Sequence, residues 1–166
     1  TFKGLMSDVR IYNYALSANE VETIATATLS PEDVETATRN ATAEAVGMLQ
    51  QPMNAEIKAA LEQAVNKVNE IAESYITKIN NGTATSADGN AWSAAIKAFS
   101  EGATLVNAKS SVETYKRLAT QITAARTTQT ANTREFGHET FEAELGEVEA
   151  NYHAGGYADS EIPAIV

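Results

Sequence analysis

Two histidines and two glutamates in the last third of the chain have the spacing of metal ligands. His138 and Glu142 lie four residues apart, and so do Glu149 and His153. On a helix, at about 100° per residue, all four fall within about 60° of one face. A pair at that spacing can clamp a divalent cation. The two pairs sit about 10 Å apart along the axis at a rise of about 1.5 Å per residue, so they cannot share one ion. The same residues also suit a solvated flank beside an apolar stripe of Phe141, Leu145, Val148 and Tyr152.

The aromatic residues offer a second chemistry, since their faces can stack on sugar rings. Trp92, Tyr115, Phe141 and Tyr152 fall at core positions of their helices, which leaves Tyr157 as the aromatic expected at the surface. Tyr12 and Tyr14 flank the end of a strand, where they can line a groove or pack against the helices. Asp88-Gly-Asn90 lacks the acidic density of a calcium loop and suits a turn and a helix cap. Asp8 and Arg10 suit a surface ion pair on one strand face. Asn40-Ala-Thr42 and Asn81-Gly-Thr83 fit the glycosylation sequon by pattern alone. The sequence holds no G-x-S-x-G, no phosphate loop and no H-E-x-x-H. No nucleophile stands beside a base, so neither an enzyme nor a cofactor is expected.

Composition narrows the partners. The formal net charge is -10, and such a surface repels phosphate, so neither nucleic acid nor an anionic membrane is expected as a partner. Neutral glycans, cations and basic proteins remain open. Cysteine is absent, which excludes disulfides, thiolate metal sites and a cysteine nucleophile. No apolar run reaches about 18 residues, so no membrane span is expected. The chain opens on Thr1 without a signal peptide, and the expectation is a piece cut from a longer protein.

These side chains need elements to hold them. Residues 2–12 alternate as a strand, with Val9, Ile11 and Tyr12 as β-formers. Ser17 and Glu20 form a capping box for a short helix burying Val21 and Ile24. Ser30-Pro31-Glu32-Asp33 starts a helix to about Met48, with Val34, Ala37, Ala41, Ala45 and Met48 inward. Pro52 breaks it and Asn54 caps the next. Ala55 to Asn80 is the clearest helix, with Ile57, Leu61, Val65, Val68, Ala72, Tyr75 and Ile79 at helical spacing. A polar loop to Gly89 follows. Asn90 is the expected cap of a helix carrying Trp92, Ile96, Phe99, Ala103 and Val106. Ser110 or Ser111 starts another with Val112, Tyr115, Leu118, Ile122 and Ala125. Thr127 to Arg134 suits a threonine-rich connection, and His138 to Ala154 a last long helix ended by Gly155-Gly156. Asp159-Ser-Glu-Ile-Pro163 suits a further helix start. A faint repeat pairs Leu61-x3-Val65 and Trp92-x3-Ile96 with Leu118-x3-Ile122 and Phe141-x3-Leu145.

Phe2-x-Gly4, Asp8-Val-Arg-Ile-Tyr-Asn13, Ala15-Leu-Ser17 and Glu20-Val21 together resemble the closing strand of a laminin-G-like, concanavalin-type jelly roll. Ser7 stands where that pattern has an acidic residue. The resemblance covers about the first 25 residues, and the strands that would carry a sugar or calcium site are not among them. The remainder is similar to FIVAR-type helical modules of bacterial surface proteins, through Tyr115-x-x-Leu118-x3-Ile122-x-x-Ala125 and Tyr152-x3-Gly156-Tyr-x-Asp159-x-Glu161-Ile. The resemblance implies a spacer or accessory module beside sugar-binding or sugar-cleaving domains.

The expected fold is therefore mainly α: an antiparallel bundle of four to five helices with a remnant N-terminal β-strand. The expected divisions are a jelly-roll remnant over 1–28, a helical module over 29–157, and a linker or new helix over 158–166. The expected role is a non-catalytic spacer of a secreted or cell-surface bacterial protein, whose partners are neighbouring domains of the same polypeptide. The alternative is a module that binds a neutral glycan or a protein through exposed aromatics.

Overall fold

A computed structural model of the chain describes residue 15, residues 29–133 and residues 136–165. The expected strand over 2–12, the helix capped by Ser17, and Tyr12 and Tyr14 lie outside the described residues. Within them the chain is mainly helical, and no strand occurs among the described residues. The elements are α1 (Pro31–Leu49), α2 (Ala55–Asn80), α3 (Ser86–Ser100), α4 (Ala103–Ala131), α5 (His138–Ala154) and the single turn α6 (Ile162–Ile165).

α2 is the central helix. It packs against α1, α3 and α4, while α5 and α6 pack on α4. Leu61, Val65, Val68, Ala72 and Tyr75 are its buried residues, the three- and four-residue pattern that the sequence carries. Around one half of α2, Met48, Leu61, Val65, Phe99, Leu105 and Val112 form one core cluster. Around the other half, Val34, Ala72, Tyr75 and Trp92 form a second. A third joins Tyr115 and Leu118 of α4 to Ile162, with Ile122, Tyr152 and Tyr157 against it.

The starts of α1 and α2 follow their cap chemistry. The Ser30 hydroxyl accepts from the Asp33 N–H at 3.1 Å, with Pro31 in the first turn. The Asn54 side chain accepts from the N–H groups of Glu56 and Ile57 at 3.0 and 3.1 Å. The buried face of α1 is wider than the expected one: Val34, Ala45 and Met48 are buried as expected, Ala37 and Ala41 are half-buried, and Thr38 and Thr42 are buried beside them. Their hydroxyls donate to the carbonyls of Val34 and Thr38 at 2.7 and 3.0 Å, which lets a polar side chain face the core.

Three further boundaries are corrected. α3 is capped by Thr85, not Asn90. Asp88 sits three residues past Thr85, and each residue's side chain accepts from the other's backbone N–H, as a capping box requires. Gly89 thus lies inside the helix, where an added Cβ would come within 3.0 Å of the Tyr75 hydroxyl. α3 stops at Ser100, and Gly102 is the N-cap of α4. Ala103 and Val106 therefore belong to α4, and Val106 is exposed. Ser110 and Ser111 lie inside α4 rather than starting a helix. Finally, the threonine-rich stretch is helical to Ala131. Thr123, Thr127, Thr128 and Thr130 each donate to the carbonyl four residues back at 2.8 to 3.1 Å, so their hydroxyls stay within the helix that propensity alone would end.

Candidate functional site

Polar groups from three distant parts of the chain converge where α5 ends. Gly155 closes α5 in the left-handed conformation at φ +68°. Its N–H reaches the Tyr152 carbonyl at 3.1 Å, and the next N–H reaches Asn151 at 2.9 Å. The Gly155 carbonyl then accepts from the Ala55 N–H at 2.9 Å. The approach is close: a Cβ on Gly155 would lie 2.6 Å from the Met53 carbonyl. Asn54 donates through its side-chain amide to the Tyr157 carbonyl at 2.9 Å. Tyr115, fully buried in α4, donates to that carbonyl at 2.8 Å and accepts from the Tyr157 N–H at 3.1 Å. Burial pushes the Tyr115 hydroxyl up from its ordinary pKa, so it remains a neutral donor. Ser111, also fully buried, accepts from the Asn54 N–H at 3.0 Å and donates to Asp159 at 2.8 Å.

This clasp joins the start of α2, the middle of α4 and the segment after α5. Among the described residues no buried side-chain polar atom lacks a partner. The groups satisfy one another and hold three elements in one arrangement. A hollow of about 200 Å³ adjoins the clasp, between Met53, Lys58, Tyr152 and His153.

The four metal-ligand candidates do not converge. His138 Nε2 lies 3.7 Å from Glu142 and 3.4 Å from the side-chain amide nitrogen of Gln129. Glu149 accepts from Arg126 at two positions, Nε at 3.0 Å and Nη2 at 2.5 Å. The bidentate guanidinium holds the Glu149 carboxyl below the usual carboxylate range. His153 is exposed and sets its ring edgewise on Tyr152, 5.1 Å between centroids. No cluster of three or more histidine or acidic side chains suited to a metal occurs among the described residues.

The aromatic residues divide differently from expectation. Trp92 is buried, and its Nε1 donates to Thr38 at 2.9 Å. Tyr115 stacks on half-buried Tyr152 at 5.7 Å. Tyr157, expected at the surface, is half-buried against the Tyr115 cluster. Phe141, expected in the core, is 40% exposed, and Phe136 beside it is fully exposed. α5 packs on α4 and on little else, so Leu145 is its one buried stripe residue and Phe141 keeps an open side. Phe136, Phe141, Gln129 and His138 line a hollow of about 170 Å³ at the tip of the α4–α5 hairpin.

In the sequence Asn54, Ser111 and Asp159 suited helix caps and starts, and nothing there brought them together. Ser111 does sit at helical spacing between Ala108 and Tyr115, and a hydroxyl within an apolar stripe marks a buried hydrogen bond.

Neither a family model, nor any curated protein, nor any solved structure matches this chain.

Proposed function

We propose that the chain is a non-catalytic spacer or accessory module of a large secreted or cell-surface bacterial protein, positioning a neighbouring carbohydrate-binding or glycan-processing domain. The observation that carries this reading is the clasp. A spacer must keep its ends at a set distance and angle, and hydrogen bonds spanning residues 54, 111, 115, 157 and 159 tie the α4–α5 hairpin to the rest of the bundle. The 29 residues of α4 give a rod of about 43 Å at about 1.5 Å per residue. The resemblance of residues 2–21 to a jelly-roll closing strand supplies the neighbour. Trp92, Tyr75 and Tyr115 are interior, which favours a mechanical role over a sugar platform.

The test exploits the absence of native cysteine. Cysteines placed at Glu35 and Glu144 carry spin labels, and their separation is measured by pulsed dipolar spectroscopy. A single narrow distribution, retained when folded domains are fused to both ends, is the expected result. A broad distribution would sink the spacer reading.

One observation favours a binding module instead: Phe136 and Phe141 stand exposed together. A glycan panel against the wild-type chain and the F136A/F141A double variant decides it. Retention that the double variant loses would replace the spacer reading.

A further inference from the structure

We propose that Asn81 is a site of spontaneous deamidation and isomerisation, which ages the connection between α2 and α3. Asn81 is the one asparagine in the sequence followed by glycine. Attack by the following backbone nitrogen on the asparagine amide is limited mainly by the next side chain, and glycine has none. Both residues are exposed and lie just past the end of α2, where helices fray. Gly82 has φ +67°, and nothing lies within 4 Å of where its Cβ would be, so no neighbour blocks the approach. Asn81 makes no side-chain hydrogen bond to the described residues. The opposing restraints are two: the Gly82 N–H donates to Ile79 at 3.0 Å, and the Asn81 N–H to Thr77 at 3.1 Å.

The Gly82 nitrogen loses its proton to solvent and bonds to Asn81 Cγ. The Cγ–Nδ2 bond breaks and the nitrogen leaves as ammonia, giving a succinimide. Water then adds to one of its two carbonyls. Opening at the side-chain carbonyl leaves the ordinary backbone and aspartate. Opening at the main-chain carbonyl routes the backbone through the side-chain methylene, as isoaspartate. No electrons are exchanged with an oxidant or reductant.

The structure separates this site from a second sequence of the same type. Asp88-Gly89 could form the same ring, but the Asp88 carboxylate is held by Thr85 and Lys78, and Gly89 lies in α3 with its N–H on the Thr85 carbonyl at 3.3 Å. Asn54 likewise has its side chain engaged at both ends.

The product matters locally. A carboxylate at residue 81 stands at the negative end of the α2 dipole. An added main-chain methylene displaces Thr83 and Ala84, whose N–H groups both donate to the Lys78 carbonyl at 2.9 and 3.1 Å.

The purified chain is incubated in mildly alkaline buffer at physiological temperature, then digested and mapped by mass spectrometry, with a methyl-acceptor assay for isoaspartate. The expected result is conversion at Asn81 ahead of every other asparagine, with isoaspartate the larger product. The aged chain should melt below the fresh one, and the Asn81→Gln variant should not lose stability on the same incubation. The proposal is overturned if Asn81 keeps its amide while a free peptide spanning residues 77–85 converts, or if conversion is spread evenly over the asparagines.

Discussion

Trp92 and Asp88 show what single side chains do here. Trp92 fills the second core cluster and donates to Thr38. Trp92→Ala should cost about 3–5 kcal/mol. Trp92→Phe keeps most of the volume and loses the donor, a cost of about 1 kcal/mol plus some packing. Urea unfolding of both variants checks the order, and an unchanged midpoint for Trp92→Ala would contradict burial. Asp88 acts through charge. Lys78 and the Thr85 cap hold its carboxyl at about 2, below its ordinary value. A folded pKa below the unfolded one, about 3.9, means the contribution is complete above pH 4 or so and fades as pH falls towards 2. Melting curves of the wild type and Asp88→Asn should therefore draw together over that window; a gap undiminished at its acid end would refute the assignment. The buried state of Trp92 was legible, because its position continues a helical stripe. Phe141 was misplaced because a stripe states which side is apolar and not how much of that side a single partner helix covers.

At the scale of elements, α5 depends on its terminus more than on its face. Leu145 is its one buried residue, and the Arg126–Glu149 pair lies on its α4 side. Gly155 fixes where it ends. Gly155→Ala places a Cβ at φ +68° and 2.6 Å from the Met53 carbonyl, a strain of about 1–3 kcal/mol before the clash is counted. The expected outcome is selective: amide hydrogen exchange should accelerate in α5 and around Tyr157, while the middle of α2 stays protected. Uniform acceleration would show that the clasp is not a separable unit. The bounds of α2 and α5 were readable from periodicity and caps, and those of α1 came within a residue. The bounds of α3 and α4 were not readable, although their inward residues Trp92, Phe99, Val112, Tyr115 and Leu118 were. Alanine and threonine mark an inward face weakly, and Thr85-Ser-Ala-Asp88 is hidden inside a stretch whose Gly and Asn residues suit a loop equally well.

For the whole molecule, the three core clusters draw on residues 29–162. Removing residues 1–14 should leave far-UV helical content and a single cooperative unfolding transition. Loss of cooperativity would make the N-terminal segment part of this folding unit. Mainly helical character was legible at this scale because caps and apolar periods agree over most of the chain. The clasp was not, since it depends on backbone and side-chain groups that meet across separations of 42 to 103 positions. That separation bears on the order of events during synthesis. The Asn54 amide and the Tyr157 carbonyl are 103 residues apart, and loop closure over such a span is entropically costly and slow. α1, α2 and α3 can assemble while the rest of the chain is still being made. Ser111 and Tyr115 then wait, in a helix already docked on α2, for residues 157 and 159 to emerge. Until then Ser111 can hold only its bond from the Asn54 N–H and the Tyr115 hydroxyl lacks its Tyr157 partners, so the segment after α5 completes the hydrogen bonding of the middle.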